Sequence, residues 1–314
     1  MIIKIWGARG SRPTPVHCEQ VQSKISSVVQ RIQARDTASP QARERFLASL
    51  PPWLFGTVGG NTACVEVTPR EGPTIIIDAG SGIAELSAAM SQRTNPRHEF
   101  HIFFTHFHYD HVQGLPFFGP AYNPDCSVHF YSPLADVRQT LSAHMRHPYF
   151  PVTMEEKMGG NLFFHQLQND TLQLGSAVIR HRELNHPGRG WGYRIEEDNK
   201  AFVHASDVEL LESDFEKSDA NSAFFGNSDI LILDTQYTLG EAIEKFNWGH
   251  SSFSLGVDFA TAWDARRLYL FHHEPLYDDA KIHKNLQLAR WYAQRLGNLD
   301  LEVYISQEGM EIEL

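Results

Sequence analysis

The chain has 314 residues, 42% of them hydrophobic, and a formal net charge of −11. This length is within reach of one large α/β domain, and the composition can fill a sizeable core. The acidic balance argues against general affinity for nucleic acid or anionic membranes, which bind basic surfaces. It leaves room for a local basic pocket that binds a small anionic substrate.

The cysteines and the apolar runs indicate the compartment. Cys18, Cys64 and Cys126 are far apart, and none lies in a CxxC pair. This sparse, odd set is typical of a reduced cytoplasmic protein rather than of a disulfide framework. The apolar run at residues 2–6 is too short for a signal peptide, and no run approaches the ~18 apolar residues of a membrane span. We therefore expect a cytoplasmic protein with neither a membrane nor a nucleic acid among its partners.

Short β-branched or aromatic runs, separated by Gly, Pro, Asn and Asp, predict strands. In chain order they lie at residues 2–6, 64–68, 74–77, 100–104, 128–131, 177–181, 192–195, 201–204, 230–233 and 267–271. Helical patterns cover residues 133–145 and 278–296, and Ile282, Leu286, Leu288, Ala289 and Tyr292 of the second fall roughly on one face. Strands mixed with helices along the whole length predict α/β or α+β layers, which we assign to one domain, residues 1–314.

Residues 14–57 differ from their surroundings because they are polar and helix-prone. Helical patterns at 19–35 and 41–50 predict an inserted helical element between the first strand and Gly59-Gly60-Asn61-Thr62. Its second half contains six large apolar residues, Phe46, Leu47, Leu50, Trp53, Leu54 and Phe55. If these are exposed, they form a surface for a homodimer; otherwise they pack on their own domain. The insertion could equally be a lid.

The strongest chemical signal is the run Thr105-His106-Phe107-His108-Tyr109-Asp110-His111, directly after an apolar strand. The first two histidines are two residues apart, so an extended backbone points both imidazoles to the same side. The aspartate and the third histidine follow and can face a second position nearby. Imidazole and carboxylate together suit Zn²⁺, Fe or Mn²⁺. The run therefore predicts a metal site.

This HxHxDH run resembles the signature of the metallo-β-lactamase superfamily. Four further segments resemble its motifs in the expected order: residues 74–82 (TIIIDAGSG), 184–188 (LNHPG), 204–207 (HASD) and 268–275 (LYLFHHEP). The resemblance implies a four-layer αββα sandwich with two divalent metal ions. The metals would be Zn, Mn or Fe.

The resemblance also implies roles for individual residues. His106, His108 and His186 would hold one metal ion; Asp110, His111 and a C-terminal histidine would hold the other. Asp207 would bridge the two ions, and Asp78 would orient a ligand without binding metal. The last ligand is either His272 or the adjacent His273. We favour His272, because it directly follows the strand, and expect His273 to turn away into a hydrogen bond.

Shorter motifs resemble the phosphodiesterase branch, which includes tRNA 3′-processing endonucleases and cyclic ribose phosphate phosphodiesterases. They are Trp248-Gly249-His250-Ser251-Ser252, Glu308-Gly309-Met310-Glu311-Ile312, Arg9-Gly10-Ser11-Arg12-Pro13 and the GGNT segment. The leading hypothesis is hydrolysis of a small (cyclic) phosphodiester, with Asp110 and His250 in catalytic roles. His250 would protonate the leaving alkoxide or bind the phosphoryl oxygen, unless it only caps the next helix. Arg9, Arg12 and Asn61 are weaker candidates for substrate contacts.

The alternative hypothesis is a diiron protein that binds or senses oxygen or nitric oxide, because the same ligands hold two irons in the flavodiiron branch. Aromatic residues near the run would suit a dry pocket for a diatomic gas: Phe103, Phe104, Phe107, Tyr109, Phe117 and Phe118. The simpler interpretation is that they belong to the core. The flexible basic arm of the tRNA endonucleases is not evident in the sequence, and residues 14–57 are not part of the compact cyclic-phosphate enzymes. The natural substrate therefore stays open.

Overall fold

The structure is a computed structural model that describes residues 1–94, 97–158 and 161–314. Within these ranges, two seven-stranded sheets lie face to face. The first has the order β14-β1-β2-β3-β4-β5-β6: Ile2–Gly7 (β1), Cys64–Thr68 (β2), Thr74–Ile77 (β3), Glu99–Phe103 (β4), Ser127–Ser132 (β5), Asn161–Gln166 (β6) and Glu311–Glu313 (β14). The second has the order β13-β12-β11-β10-β9-β8-β7: Thr171–Leu174 (β7), Ala177–Leu184 (β8), Gly190–Glu197 (β9), Lys200–Ala205 (β10), Ile230–Asp234 (β11), Arg267–Phe271 (β12) and Glu302–Ile305 (β13).

Each sheet has a parallel part. In the first sheet β3, β4, β5 and β6 run parallel, and in the second β10, β11, β12 and β13 do. The carboxyl ends of the parallel strands in one sheet therefore meet at one edge of that sheet. The loops after β4, β10 and β12 carry most of the predicted metal ligands.

Helices cover the outer faces of both sheets. They are Cys18–Arg31 (α1), Pro40–Ser49 (α2), Pro52–Phe55 (α3), Gly82–Met90 (α4), Tyr109–Val112 (α5), Val137–His144 (α6), Met154–Lys157 (α7), Glu212–Phe215 (α8), Asp219–Phe225 (α9), Leu239–Glu244 (α10), Phe253–Ala262 (α11) and Asp279–Arg295 (α12). Short 3₁₀ helices lie at Ala34–Thr37, Leu115–Phe117 and Gly119–Tyr122. Among the described residues, none of these helices has the length and apolar character that a bilayer crossing requires.

Three apolar clusters explain the layers. One lies between the sheets and joins residues such as Ile5 and Ile77 of the first to Ile195 and Ile232 of the second. The second lies between the first sheet and α4 and α6, and the third between the second sheet and α9, α11 and α12. Central strands such as β11 (Ile-Leu-Ile-Leu) are buried on both faces, which requires an unbroken apolar run. The predicted αββα sandwich is confirmed.

The ten predicted strands are present, and the structure adds β6, β7, β13 and β14. These four are the outermost strands of the two sheets. Edge strands are partly exposed and short, so they lack the continuous apolar runs by which the central strands were recognised. The helix predicted at 278–296 is α12, in which Ile282, Leu286 and Ala289 are buried, whereas Leu288 is 40% exposed.

The inserted segment is helical as predicted and contains α1, α2 and α3. The exposed apolar face expected in its second half is largely absent from the described residues. Leu50 and Leu54 are buried, and Phe46, Leu47 and Trp53 are half-buried. Trp53 and Leu54 lie on α3, which packs against α12. Phe55 alone among the six is exposed. The assignment of residues 1–314 to a single domain stays a prediction.

Candidate metal centre

The HxHxDH run spans a strand end and a helix start. After β4 the chain bends at Thr105 and continues without regular structure to His108, whose backbone is extended, and α5 begins at Tyr109. His106 and His108 therefore project from the loop, while Asp110 and His111 lie on the first turn of a helix. This change of backbone direction separates the four side chains into two pairs.

The predicted ligands form two groups whose candidate ligand atoms lie within 4.8 Å of one another. The first group is His106, His108 and His186; the second is Asp110, His111, Asp207 and His272. Nε2 of His186 lies 3.2 Å from Nδ1 of His108, and Nε2 of His272 lies 3.1 Å from Oδ2 of Asp110. Each group thus converges on one point from loops that are far apart in the sequence.

Asp207 lies between the groups. Its Oδ1 is 3.2 Å from Nε2 of His272 and 3.4 Å from Nε2 of His111, which belong to the second group. Its Oδ2 is 3.7 Å from Nε2 of His106 and 3.9 Å from Nε2 of His186, which belong to the first. One carboxylate oxygen therefore faces each group, as a bridging ligand requires.

Unpaired polar atoms show that the residues fit metal ions. Nε2 of His106 and Nε2 of His111 are buried and, among the described residues, have no hydrogen-bond partner. Leaving a buried nitrogen unpaired costs about 1–3 kcal/mol, and a cation at the convergence point of each group would satisfy the nitrogen that belongs to that group. Burial lowers the pKa of His106 well below its usual value, so this imidazole is neutral, as a metal ligand must be.

The carboxylates of the centre are ionised. Burial opposes the ionisation of Asp207, but His272 and His111 outweigh it and hold its pKa well below the usual value. Burial also disfavours the charged form of His111, yet Asp207, Asp110 and Asp78 raise its pKa well above the usual value. These buried negative charges therefore require a positive charge nearby, which either protonated His111 or a metal ion can supply.

Hydrogen bonds behind the centre orient the histidines. Oδ2 of Asp78 lies 2.8 Å from Nδ1 of His111, and the same carboxylate accepts from the backbone N–H and the hydroxyl of Thr105. The Thr105 hydroxyl is also 3.0 Å from Nδ1 of His106. Asp78 is thus placed behind the ligand atoms, where the sequence analysis expected an orienting residue.

The structure distinguishes the two adjacent C-terminal histidines. His272 points into the second group, with Nδ1 2.9 Å from Oε1 of Gln236. Nε2 of His273 instead donates to the carbonyl of Ser306 at 2.8 Å, away from Asp207. The geometry supports His272 as the ligand and leaves His273 in a hydrogen bond outside the centre.

His250 lies at the border of the centre. Its Nδ1 is 2.6 Å from Oδ2 of Asp234 and 4.0 Å from Oδ2 of Asp207, and its ring stacks on that of His272. Burial lowers the pKa of His250, but the Asp234 carboxylate outweighs it and raises the pKa to about 9. The cap of α11 is Ser252, whose side chain accepts from the N–H of Leu255. The helix-capping interpretation of His250 therefore has no support in the geometry.

Glu209 holds the loop that carries His250. Its carboxylate accepts from the backbone N–H groups of Asn247 at 3.0 Å and of Gly249 at 2.9 Å. The carbonyl of Gly249 in turn accepts from Nδ1 of His186 at 2.9 Å. Gly249 has φ +85°, and a Cβ there would lie 2.2 Å from Nδ1 of His186, so only glycine fits.

The weaker substrate candidates lie outside the two groups. The Arg9 guanidinium is buried and donates to the carbonyls of Gly59 and Tyr277 at 2.9 and 2.8 Å. Asn61 bonds to Glu308 and Ser81 through its side chain. Arg12 is exposed. The contacts of Arg9 and Asn61 hold loops together, and a substrate role for these three residues remains a prediction.

The aromatic residues expected to line a gas pocket are divided between the core and the surface. Phe103, Phe104 and Phe118 are buried in the apolar clusters, and Phe107 packs against one of them. Tyr109 and Phe117 are 72% and 62% exposed. The simpler interpretation, that most of these residues belong to the core, is the one the structure supports.

Sequence reasoning missed Asp234, Gln236, Glu209 and Thr105. Asp234 was the most predictable of the four, because it directly follows the predicted strand at 230–233. Polar residues at the carboxyl ends of parallel strands commonly form binding or catalytic sites. Gln236 and Glu209 lie in loops with no distinctive spacing, and their partners are distant in sequence, such as His272, 36 residues after Gln236. Thr105 stands directly before His106, but its bond to Asp78 joins residues 27 positions apart.

Comparison with known proteins identifies the family. Residues 74–273 match the sequence model described as the beta-lactamase superfamily domain, which covers more than half of the chain. The chain belongs to the β-lactamase superfamily. The matched region begins at β3 and ends at His273, so it includes every candidate metal ligand. The predicted kinship is thereby confirmed, and membership supports a metal-dependent hydrolase in general terms.

Individual relatives agree with this assignment. Ribonuclease Z of Oceanobacillus iheyensis is 24% identical over 250 residues, which span 62% of this chain and 78% of that protein. The metallo-beta-lactamase fold protein YhfI from Bacillus subtilis has a TM-score of 0.64 at 15% identity, covering 100% of this chain and 98% of that one. A diphosphatase from the PhnP family has a TM-score of 0.63 at 16% identity, covering 100% and 97%. At these identities the structural likenesses establish the fold.

Proposed function

We propose that this chain is a phosphodiesterase that hydrolyses a small (cyclic) phosphodiester at a dinuclear metal centre. The observation that carries the proposal is the Asp234–His250 pair beside the two ligand groups. A metal-ligand cluster alone suits many reactions, whereas a histidine held by a carboxylate at its edge suits proton transfer to a leaving group.

His106, His108 and His186 would hold one divalent ion, and Asp110, His111 and His272 the other, with Asp207 bridging. Histidine and aspartate donors suit Zn, Mn or Fe. Divalent ions at such a centre supply Lewis acidity and lower the pKa of a bound water from 15.7 to about 7.

The chain's own residues prepare the proton transfer. Because Nδ1 of His250 is engaged by Asp234, the proton available for transfer is the one on Nε2. This nitrogen can donate to the leaving alkoxide oxygen of a phosphodiester. Glu209 fixes the loop of Asn247 and Gly249, so the position of His250 does not depend on bound substrate.

The proposed substrate is small rather than RNA. The net charge of −11 opposes binding of a long polyanion, since counterion release requires a basic surface. The printed names of two relatives, a ribonuclease Z and a diphosphatase of the PhnP family, both denote phosphate-ester chemistry and support the reaction class. We propose a cytoplasmic location on the grounds of the sparse cysteines.

The test combines metal analysis with turnover of bis(p-nitrophenyl) phosphate. We expect about two equivalents of Zn, Mn or Fe per chain and measurable hydrolysis, as two convergent ligand groups require. The variant His250→Ala should keep its metal but lose about 10²-fold or more in kcat. The matched control is His181→Ala, because His181 lies on β8 and bonds only to the carbonyl of Asn169 among the described residues.

Two results would reject the proposal. Full activity of His250→Ala against the phosphodiester would remove this residue from the mechanism. Iron with an oxygen-dependent visible absorption band and no turnover would establish the diiron gas-binding alternative instead. An absorption spectrum before and after exposure to air distinguishes these cases.

A further inference from the structure

Helix α1 (Cys18–Arg31) presents its polar side to the protein and its apolar side to solvent. The inward side consists of Gln20, Lys24 and Ser27, which are half-buried. Lys24 donates to the carbonyl of Gly56 and pairs with Asp279 at the start of α12. A surface helix normally has the opposite arrangement, with its apolar side against the core.

The outward side is a row of β-branched residues. Val21, Ile25 and Val29 are 45%, 58% and 63% exposed, and Ile32, directly after the helix, is 37% exposed. Val28 beside them is half-buried. Isolated exposed apolar residues are ordinary, but a contiguous row along a whole helix indicates an interaction surface. We call Val21, Ile25, Val28, Val29 and Ile32 the α1 stripe.

We propose that the α1 stripe is the contact surface between two copies of this chain. The spacing of Val21, Ile25, Val28 and Ile32 is four, three and four residues. This is the heptad spacing by which two helices pack along a common seam. A seam of this kind is self-complementary, so a second α1 is a fitting partner.

Charge favours a second copy over a membrane. Residues 14–57 contain five Lys or Arg and three Asp or Glu, a net charge of +2, so the rest of the chain carries −13. Two acidic bodies repel each other unless their contact lies at the part of the chain that is not acidic. The same −13 repels an anionic lipid surface, and α1 lacks the aromatic and lysine-rich composition of interfacial helices.

The surface area of α1 can be compared with the area that a stable dimer interface buries. A helix of 14 residues is about 21 Å long, and a stable interface buries about 800 Å² on each partner. The α1 stripe supplies part of this area. Two further exposed apolar residues lie close to the stripe along the chain or in the fold: Val16, just before α1, and Phe55, which is 63% exposed at the end of α3, the helix that contacts α1.

The experiment measures oligomeric state by light scattering and sedimentation velocity of the full chain from about 1 to about 100 µM. We expect a dimer that the variant Ile25→Asp converts to a monomer, with a dissociation constant at least about tenfold higher than that of wild type. The control Leu299→Asp places the same charge at a still more exposed apolar residue beyond the other end of α12 and should remain dimeric. Circular dichroism of each variant reports whether the fold is kept.

A cross-link tests the surface without relying on a destabilising charge. In a Cys18→Ser background, Ile25→Cys lies near the middle of the α1 stripe and should form a disulfide-linked dimer on mild oxidation. Leu299→Cys in the same background should not. A wild-type chain that stays monomeric at the highest concentration would overturn the proposal. So would a monomer whose α1 stripe binds vesicles of phosphatidylcholine and phosphatidylglycerol, since the occupant would then be a lipid surface.

Discussion

Nδ1 of His250 lies 2.6 Å from Oδ2 of Asp234, and this contact joins the loop before α11 to the end of β11. It orients the imidazole beside Asp207 and leaves Nε2 free of the carboxylate. The pair gives the proposed metal centre a proton donor that is held by a carboxylate outside the two ligand groups.

Replacing Asp234 with asparagine tests this pair. The Asp234→Asn side chain keeps the shape but loses the charge that holds a proton on His250. We expect kcat for a phosphodiester to fall by about 10²-fold or more, with KM and metal content little changed. Steady-state kinetics and elemental analysis provide the measurement. Unchanged kcat, or loss of metal in step with activity, would contradict the role of Asp234 as a positioning residue.

Gly249 is expected to admit no side chain. In Gly249→Ala the new Cβ would collide with Nδ1 of His186, and alanine would have to adopt the unfavourable φ of +85° that glycine has here. The loop or His186 must therefore move. We expect loss of one metal ion and of activity, together with about 1–3 kcal/mol of unfolding free energy. Gly240→Ala is the matched control, because nothing lies within 4 Å of a Cβ there. Equal metal content in both variants would show that the close contact is unimportant.

We expect Asp78 to affect metal binding, through its contact with His111, rather than substrate binding. In Asp78→Asn the ring of His111 loses a charged partner, and the Thr105 contacts weaken. Because such partners orient a ligand and raise its basicity, we expect the affinity for metal to be weaker by about 10–100-fold. Competition with a chromogenic chelator measures the affinity. Asp300→Asn, at an exposed position, is the control and should bind metal as wild type does.

Asp229 gives a stability prediction that is remote from the metal centre. Burial disfavours its charged form, but bonds from Lys200, the backbone N–H of Ala201 and Arg266 outweigh this and lower its pKa. A pKa lowered on folding means that the unfolded chain binds more protons. The resulting stability is present above the unfolded value of about 3.9 and is lost as the pH falls through the folded pKa.

We therefore expect Asp229→Asn to lower the unfolding free energy by about 1 kcal/mol at neutral pH, a modest value because Lys200 and Arg266 are largely exposed. Urea titrations at neutral and acidic pH measure the difference between variant and wild type. This difference should shrink as the pH falls below about 4. A difference that is independent of pH would mean that the carboxylate charge is not its source.

The short-range patterns of the sequence were sufficient to predict the central strands of the fold and most candidate metal ligands. Unbroken apolar runs predicted the inner strands, since a strand buried on both faces has no room for polar residues. The run from His106 to His111 follows such a strand, so its position at a sheet edge was predictable. Edge strands such as β7 and β14 were not, because partial exposure removes the signal.

The tertiary structure alone decided which distant residues meet. Adjacent histidines are equivalent in a sequence pattern, and the packing places His272 next to Asp110, 162 residues earlier. It also brings Asp234 to His250 and leaves the apolar side of α1 outside. The sequence by itself determined the inner strands and the local residue types, because these depend on neighbouring positions. The pairing of loops depends on how two sheets stack, and no local pattern records that.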